Sequence, residues 1–211
     1  MLLHGISTAW IAAKSPDGKS LLTGDTGLSA NGLYELDHTV LGVQTAELKG
    51  LDGSKLEKIP GNNSIQYSYA DPLNPQATLT INNLPLEILG KIVGLKKKGT
   101  GWQMADTKPI GSLIVKAPSM TTNDFVYFCF PSGNFLMGDK KLDSDTDSKK
   151  TPVTDSLTFA AIDDPNINDM YSMYSTADSD WKDEDTMFKE LFPDYVATPK
   201  ASGTDDHSHT A

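Results

Sequence analysis

The stretch that decides the fold is residues 64–94, SIQYSYADPLNPQATLTINNLPLEILGKIVG. Its first run alternates the apolar residues Ile65, Tyr67 and Tyr69 with polar ones, and its second run, ATLTIN, alternates in the same way. Alternation with a period of two is typical of a β-strand that packs one face and leaves the other in water. Because the turn-forming sequence ADPLNP separates the two runs, the pattern predicts a β-hairpin over residues 65–82.

The polar face of this predicted hairpin carries no charged side chain, only Gln, Ser, Thr and Asn. Solvated strands usually use Lys and Glu as well, so an uncharged polar face is unusual. It is either an ordinary surface or a candidate functional surface. Its residues are Gln66, Ser68, Thr78, Thr80 and Asn82.

A short helix is predicted directly after the hairpin. Asn82 or Asn83 can cap it, Pro85 suits its first turn, and Gly94 suits its C-terminal end. The apolar residues of this segment repeat every three or four positions, so they form one stripe that can pack on a sheet. The stripe consists of Leu84, Ile88, Leu89, Ile92 and Val93.

The rest of the chain predicts a mainly β fold: a β-sandwich or barrel with one short α-helix packed on the sheet, and a polar acidic C-terminal segment. We expect a β-sandwich domain over residues 1–162, an extension with a short helix over 163–195, and a flexible tail over 196–211. Further strands are predicted at 6–12, 34–48, 111–116, 124–130, 134–137 and 153–162, loops at 49–63, 96–102 and 139–152, and a helix at 183–192.

The loop predicted at residues 49–63 is long for a compact domain, and loops of that length are usually functional or disordered. It carries aliphatic residues that an isolated domain gains nothing by exposing. We therefore predict that it docks onto a second copy of the chain, where its lysines meet acidic side chains. The alternative is a disordered surface loop. The residues concerned are Lys49, Leu51, Lys55, Leu56, Lys58 and Ile59.

Charge is distributed unevenly along the chain. The 18 basic residues are all lysine, and the net charge is −10. Residues 163–211 hold three lysines against twelve acids, so nearly all of the excess lies there. The absence of arginine and the net negative charge both argue against specific readout of nucleic acid as the function.

No motif in the sequence indicates catalysis, a metal or a cofactor, so we expect neither an enzyme nor a cofactor site. The acidic run DSDTD at 143–147 lacks the Gly and Glu of an EF-hand loop. The run GLKKKGTG at 94–101 has Thr where a phosphate loop needs Lys. Cys129 lies in an apolar run and is expected to be a buried core residue. The chain shows no signal peptide and no run of about 20 apolar residues, so no membrane insertion is expected.

Several strings, taken in order, resemble the major tail protein of long-tailed phages that infect Gram-positive bacteria. Together they extend over roughly residues 5–195. They are SPDGK and GDTGLSANG within 15–32, TVLGVQTAELKGL at 39–51, ATLTINNLPLEILGKIVG at 77–94, FVYFCFPSGNF at 125–135, TPVTDSLTFAAIDD at 151–164 and FKELFPDY at 188–195.

The resemblance implies a structural virion protein of the tail tube. Six subunits would form a ring whose inner strands make one barrel, and stacked rings would carry DNA into the host. Implied partners are other copies of the chain, the tape measure protein, the tail terminator and DNA that passes without specific binding. The implied location is the virion tail, after synthesis in the host cytoplasm. The uncharged face around Thr78 and Thr80 would then line the channel, because a wall without cations does not hold phosphates.

Two other functions remain open at this level. One is a β-sandwich module that binds carbohydrate or another receptor, for which Trp10, Trp102 and Trp181 are the available stacking platforms. The other is a capsid decoration protein.

Overall fold

A computed structural model describes residues 2–53, 55–145, 150 and 152–197. In chain order its elements are β1 Thr8–Ala13, β2 Leu33–Glu35, a 3₁₀ turn His38–Val40, β3 Val43–Lys49, β4 Leu56–Gly61, β5 Ser64–Ala70, β6 Gln76–Ile81, α1 Leu86–Val93, β7 Leu95–Lys98, β8 Gly101–Met104, β9 Gly111–Pro118, β10 Phe125–Met137, β11 Asp155–Ala161, β12 Ser172–Ser175 and α2 Glu184–Leu191.

Eight of these strands form one antiparallel main sheet. Seven follow one another in the order β2-β1-β9-β10-β11-β6-β3, and the eighth, β12, pairs with the first half of β10. Strands β11 and β12 therefore lie end to end along β10, and residues 162–171 leave the sheet between them. The remaining strands form two small hairpins, β4–β5 and β7–β8.

The centre of the main sheet is apolar on both faces. On β1, Ala9, Ile11 and Ala13 lie on one face, and Trp10 and Ala12 lie on the other. Helix α1 covers the first face and α2 covers the second, so each helix closes a separate core. We call these the α1 core and the α2 core.

The α1 core is the larger of the two. It joins the apolar stripe of α1 to side chains from strands far apart in the sheet order, such as Ile11 on β1 and Leu79 on β6. Since both ends of the order reach one cluster, the sheet curls around it. Phe130, Phe135 and Phe159 fill its centre, with Phe135 and Phe159 ring centroids 4.7 Å apart.

The α2 core is rich in aromatic side chains. Trp181 stacks on Tyr127 with ring centroids 5.1 Å apart, and Phe188 meets Trp10 edge to face at 5.6 Å. Beneath α2, Cys129 is fully buried, and burial raises the pKa of its thiol well above the ordinary value. The prediction that Cys129 is a core residue is confirmed.

A buried ion pair joins three parts of the chain at the end of β1. Lys14 pairs with Asp164, and neither side chain is exposed to water. Ser132, in the irregular part of β10, accepts from the Lys14 Nζ at 3.1 Å and donates to Asp164 Oδ2 at 2.6 Å. Asp164 also accepts the backbone N–H of Asn166 at 2.8 Å, which shapes the excursion between β11 and β12.

The main predictions for the fold are confirmed. The chain is mainly β, α1 buries its predicted stripe, and α2 follows the predicted acidic start, with Asp183 capping it by accepting the N–H of Thr186 at 2.6 Å. The strand predicted at 153–162 appears as β11, with Leu157, Phe159 and Ala161 buried. The predicted domain boundary at residue 162 stays a prediction. The proposed tail over 196–211 lies almost wholly outside the described residues.

Five predictions are wrong. The range 34–48 is not one strand, because the 3₁₀ turn separates β2 from β3. The two runs of 65–82 do not pair: β5 pairs with β4, whereas β6 lies between β3 and β11. The loop predicted at 49–63 contains β4, and the loop predicted at 96–102 contains the β7–β8 hairpin. Neither Asn82 nor Asn83 caps α1, since Pro85 occupies the cap position without a side-chain hydrogen bond. Strand β12 was not predicted.

Breaking the buried pair should cost much more than breaking an exposed one. We expect Lys14→Met and Asp164→Asn each to lower the free energy of unfolding by about 3–5 kcal/mol, because each leaves a buried group without its partner. The double variant should lose less than the sum of the two. The control pair Lys141 and Asp143 is exposed, at 3.3 Å, and its loss should cost at most about 1 kcal/mol. Urea unfolding of all variants measures this, and additive losses at the buried pair would contradict it.

We also expect the α2 core to lose stability at alkaline pH. Tyr195 is buried and its hydroxyl donates to Asp185 Oδ1 at 3.0 Å. Burial, and then this carboxylate, raise the Tyr195 pKa from 10 to about 12. The folded chain thus holds this proton more tightly than the unfolded chain does. The resulting stability is complete below pH 10 and is lost as the pH rises towards about 12. Urea midpoints across that range should fall less steeply for Tyr195→Phe than for the unchanged chain; equal slopes would refute the assignment.

Candidate interface surfaces

The β4–β5 hairpin projects from the main sheet, and we call it the arm (residues 55–71). It continues the pairing of β3 with β6, whose last pair is Lys49 with Gln76, and its own first pair is Leu56 with Ala70. The paired strands β3 and β6, which we call the root, and the arm are therefore two halves of one long hairpin. With six residues in β4, the arm is about 20 Å long.

Two glycines make the break between root and arm possible. Gly50 and Gly53 have φ angles of +69° and +74°. A Cβ atom would lie 2.2 Å from the carbonyl oxygen of Asn74 at the first position and 2.6 Å from that of Asp71 at the second. The two strands approach each other too closely here for any other residue.

The arm has one mostly apolar face, which also carries Glu57 opposite Tyr69, and one mostly polar face. Ile59 is paired with Tyr67, and the alternation of β5 places Ile65 and Tyr69 on the same face. These four side chains are 50%, 62%, 57% and 45% exposed, and the two tyrosine rings stack with centroids 6.2 Å apart. The opposite face carries Ser64, Gln66 and Ser68 together with Leu56 and Lys58.

The apolar face of the arm has no cover among the described residues, and none of its side chains belongs to either core. A strand with regular alternation normally buries its apolar side. Contiguous exposed apolar side chains on a soluble chain mark a surface for another protein. The arm is thus a candidate interface whose partner is a separate molecule.

A second candidate surface lies on the main sheet, on the side of β11, β6 and β3 that faces away from the α1 core. Register places Thr80 between Thr45 and Ser156, and Thr78 beside Thr158. We call this the threonine face, and it contributes no side chain to either core. On these three strands its charges are Glu47 and Lys49, which pair with each other at 3.1 Å.

The predicted inter-subunit residues divide into two groups. Leu56 and Ile59 are exposed on the arm, as expected. Leu51 is not an exposed aliphatic, because it packs against the α1 core and its carbonyl accepts the Tyr171 hydroxyl at 2.7 Å.

The three lysines of that prediction also differ from one another. Lys49 pairs with Glu47, and Lys55 pairs with Glu57, both within the same chain. Lys58 is exposed on the arm. Only Lys58 of the three is therefore without a salt bridge in the described residues.

The five residues of the predicted uncharged face lie on two surfaces. Thr78 and Thr80 belong to the threonine face, and Asn82 follows β6 and accepts from Gln44 Nε2 at 2.5 Å. Gln66 and Ser68 lie on the polar face of the arm. They do not share a sheet with the others, because the hairpin that joined them in the prediction does not form.

Sequence reasoning missed the aromatic side of the arm. Ile65, Tyr67 and Tyr69 were predicted to pack inside the chain, and the structure exposes them. The alternation correctly indicated that they share a face. The signal that was missed is Asn62-Asn63, where both residues have positive φ, which is typical of a tight hairpin turn between β4 and β5.

The tryptophans do not form a joint stacking platform. Trp10 is buried in the α2 core, Trp181 stacks on Tyr127, and Trp102 lies against Gly90 of α1. This placement weighs against a carbohydrate-binding surface built on them.

The family model described as phage tail tube protein matches residues 1–200 of the 211-residue chain. The chain therefore belongs to the phage tail tube protein family. It is a structural protein of the phage tail, and its location is the tail of the virion. A search of curated proteins gave no match. Among the described residues, no helix is both long and apolar enough to cross a bilayer.

Proposed function

We propose that the chain forms rings of six copies, that the rings stack into the tail tube, and that DNA leaves the phage through the channel. Membership of the tail tube family supports the role in the tube. The observation that carries the assembly is the uncovered apolar face of the arm, because a single copy leaves that face in water.

The arm joins neighbouring copies in this proposal. Covering its four half-exposed apolar side chains would contribute about 1 kcal/mol or more each, before the cost of association. The contact repeats around every ring and along the tube, so a modest energy per copy suffices. The segment 163–195 adds to the same contacts through its excess of acids.

The threonine face lines the channel in this proposal. Its hydroxyl groups can bind water, and its two charges cancel within one ion pair, so it offers DNA phosphates no free cation. Thr78, Thr80 and Asn82 belong to this wall. Gln66 and Ser68 extend the wall along the arm, where Lys58, the partner of Ser68, is a lysine on the same face.

Further partners follow from the sequence resemblance alone. They are the tape measure protein inside the channel and the tail terminator at its end. The same resemblance suggests a long-tailed phage of a Gram-positive host, with synthesis of the chain in the host cytoplasm.

The proposed assembly is tested by removing the apolar face of the arm. Ile59→Ser with Tyr67→Ser should leave a folded monomer whose unfolding free energy changes by less than about 0.5 kcal/mol, because both side chains already meet water. The variant should form no rings or tubes under negative-stain microscopy. The matched control, Gln66→Ala with Ser68→Ala on the opposite face, leaves Lys58 in place and should assemble. Normal tubes from the first variant would show that the arm is not the connector.

The proposed channel wall is tested by adding cations to it. Thr78→Lys with Thr80→Lys should spare assembly and slow DNA ejection from virions, because the new ammonium groups would hold phosphates. Lys141→Thr, in an exposed loop, serves as the control and should leave the ejection rate unchanged. Loss of assembly, or ejection at the normal rate from intact tubes, would contradict this placement of the threonine face.

A further inference from the structure

Two surfaces of opposite charge lie on opposite faces of the main sheet. The first is the β7–β8 hairpin, which carries the consecutive residues Lys96, Lys97 and Lys98 and lies on the side of α1. The second is the surface around α2. Because the sheet separates them, the two surfaces of one copy cannot meet each other.

The β7–β8 hairpin is held firmly in place. Trp102, which is paired with Lys97, packs against Gly90 in the middle of α1, where a Cβ atom would lie 2.9 Å from the indole ring. Lys96 forms an exposed ion pair with Asp106 at 3.6 Å. Lys97 lies on the Trp102 face of the hairpin and Lys98 on the other face, and both are exposed near its tip. In the described part of the chain neither lysine has a salt bridge, so both ammonium groups are available to a partner.

The surface around α2 contains a cleft with the complementary chemistry. Its volume is about 170 Å³, and it is walled by acids and by the aromatic rings of Tyr174 and Trp181. Lys182 also lines it, and Lys189 lies on the next turn of α2. Acids outnumber lysines seven to two over residues 177–195. The acids of the cleft are Asp178, Asp180, Asp183 and Glu190.

The acidic residues in and beside this cleft differ in the contacts that they make within the chain. Asp183 caps α2, and Glu184 beside it accepts from Lys116 and from the Tyr127 hydroxyl, both at 2.8 Å. Asp178 and Asp180 are exposed and form no salt bridge in the described residues. Carboxylates beside two aromatic rings make a receptor for an ammonium group, which gains both ion pairing and cation–π attraction.

We propose that the β7–β8 hairpin of one copy docks into the α2 cleft of a second copy, with Lys97 and Lys98 facing Asp178 and Asp180. The proposal rests on the self-assembly proposed above and names one of its contacts. Two different surfaces on opposite faces give a head-to-tail interface, which closes into rings or continues as a stack. The contact also explains how copies with a net charge of −10 can approach one another.

Charge reversal with mixing tests this contact. One variant carries Lys97→Glu and Lys98→Glu, so that both of its surfaces are acidic. The other carries Asp178→Lys and Asp180→Lys, so that both surfaces are basic. Each alone should need about tenfold more protein to assemble, whereas an equal mixture should assemble at close to the wild-type concentration, because alternating copies restore every pair. Sedimentation velocity and negative-stain microscopy on the full chain measure both.

The control variant carries Lys141→Glu and Lys150→Glu, which changes the net charge of the chain by the same amount in another loop. It should assemble like the wild type, and added salt should weaken wild-type assembly. Equal behaviour of control and test variants, or a mixture that assembles no better than its parts, overturns the contact. Normal assembly of the lysine variant together with altered DNA passage would place the hairpin at the channel instead. Wild-type protein that never forms rings or tubes contradicts the proposed function itself.

Discussion

A lysine ammonium buried away from water links β1, β10 and the segment between β11 and β12. Lys14 has its charge matched by Asp164, and Ser132 completes the cluster. Ser132 lies where β10 departs from regular pairing, next to Pro131, and Asp164 lies where the chain leaves the sheet between β11 and β12. After this departure the chain forms β12 and then crosses the second face of the sheet as α2. The ring of Phe192, just after α2, lies 5.6 Å from the Lys14 Nζ. The buried ion pair therefore contacts the α2 core through Phe192.

The two halves of the main sheet differ in whether one or both of their faces are apolar. Strands β1, β9 and the first half of β10 are apolar on both sides and need a helix on each. Strands β11, β6 and β3 are apolar on one side only, and hydroxyl groups occupy the other. The threonine face is thus the part of the sheet that the chain leaves uncovered, and the arm grows from the same edge. Both candidate interface surfaces arise from this one-sided half.

The sequence predicts faces well and pairing partners poorly. The alternation of Ala77, Leu79 and Ile81 correctly predicted buried positions, and the same reasoning correctly placed Tyr67 and Tyr69 on one face. Periodicity cannot say which strand lies alongside, so β5 was paired with β6 instead of β4. Strand β4 was missed because Pro60 and Gly61 interrupt its pattern.

Charged residues were the hardest to predict. Strand β7 was not predicted because its three consecutive lysines show no alternation of apolar and polar residues. Lys14 looks like any residue at the end of a strand, and its partner lies 150 positions away. Nothing local marks such a residue as buried. The cleft acids were recognisable only as part of an acidic block, because their grouping around Trp181 and Tyr174 depends on how α2 packs.

The continuity of arm and root has a mechanical consequence. Because β6 is hydrogen-bonded to β3 on one side and to β11 on the other, a pull along the arm loads both ladders parallel to the strands. Hydrogen bonds loaded in shear share the force and must yield together, whereas bonds that are peeled apart yield one at a time. In the proposed tube, where the arm joins neighbouring copies, bending or stretching would therefore meet stiff resistance at the root of each arm. Gly50 and Gly53 lie just outside that root, so the break between root and arm lies beyond the loaded ladders.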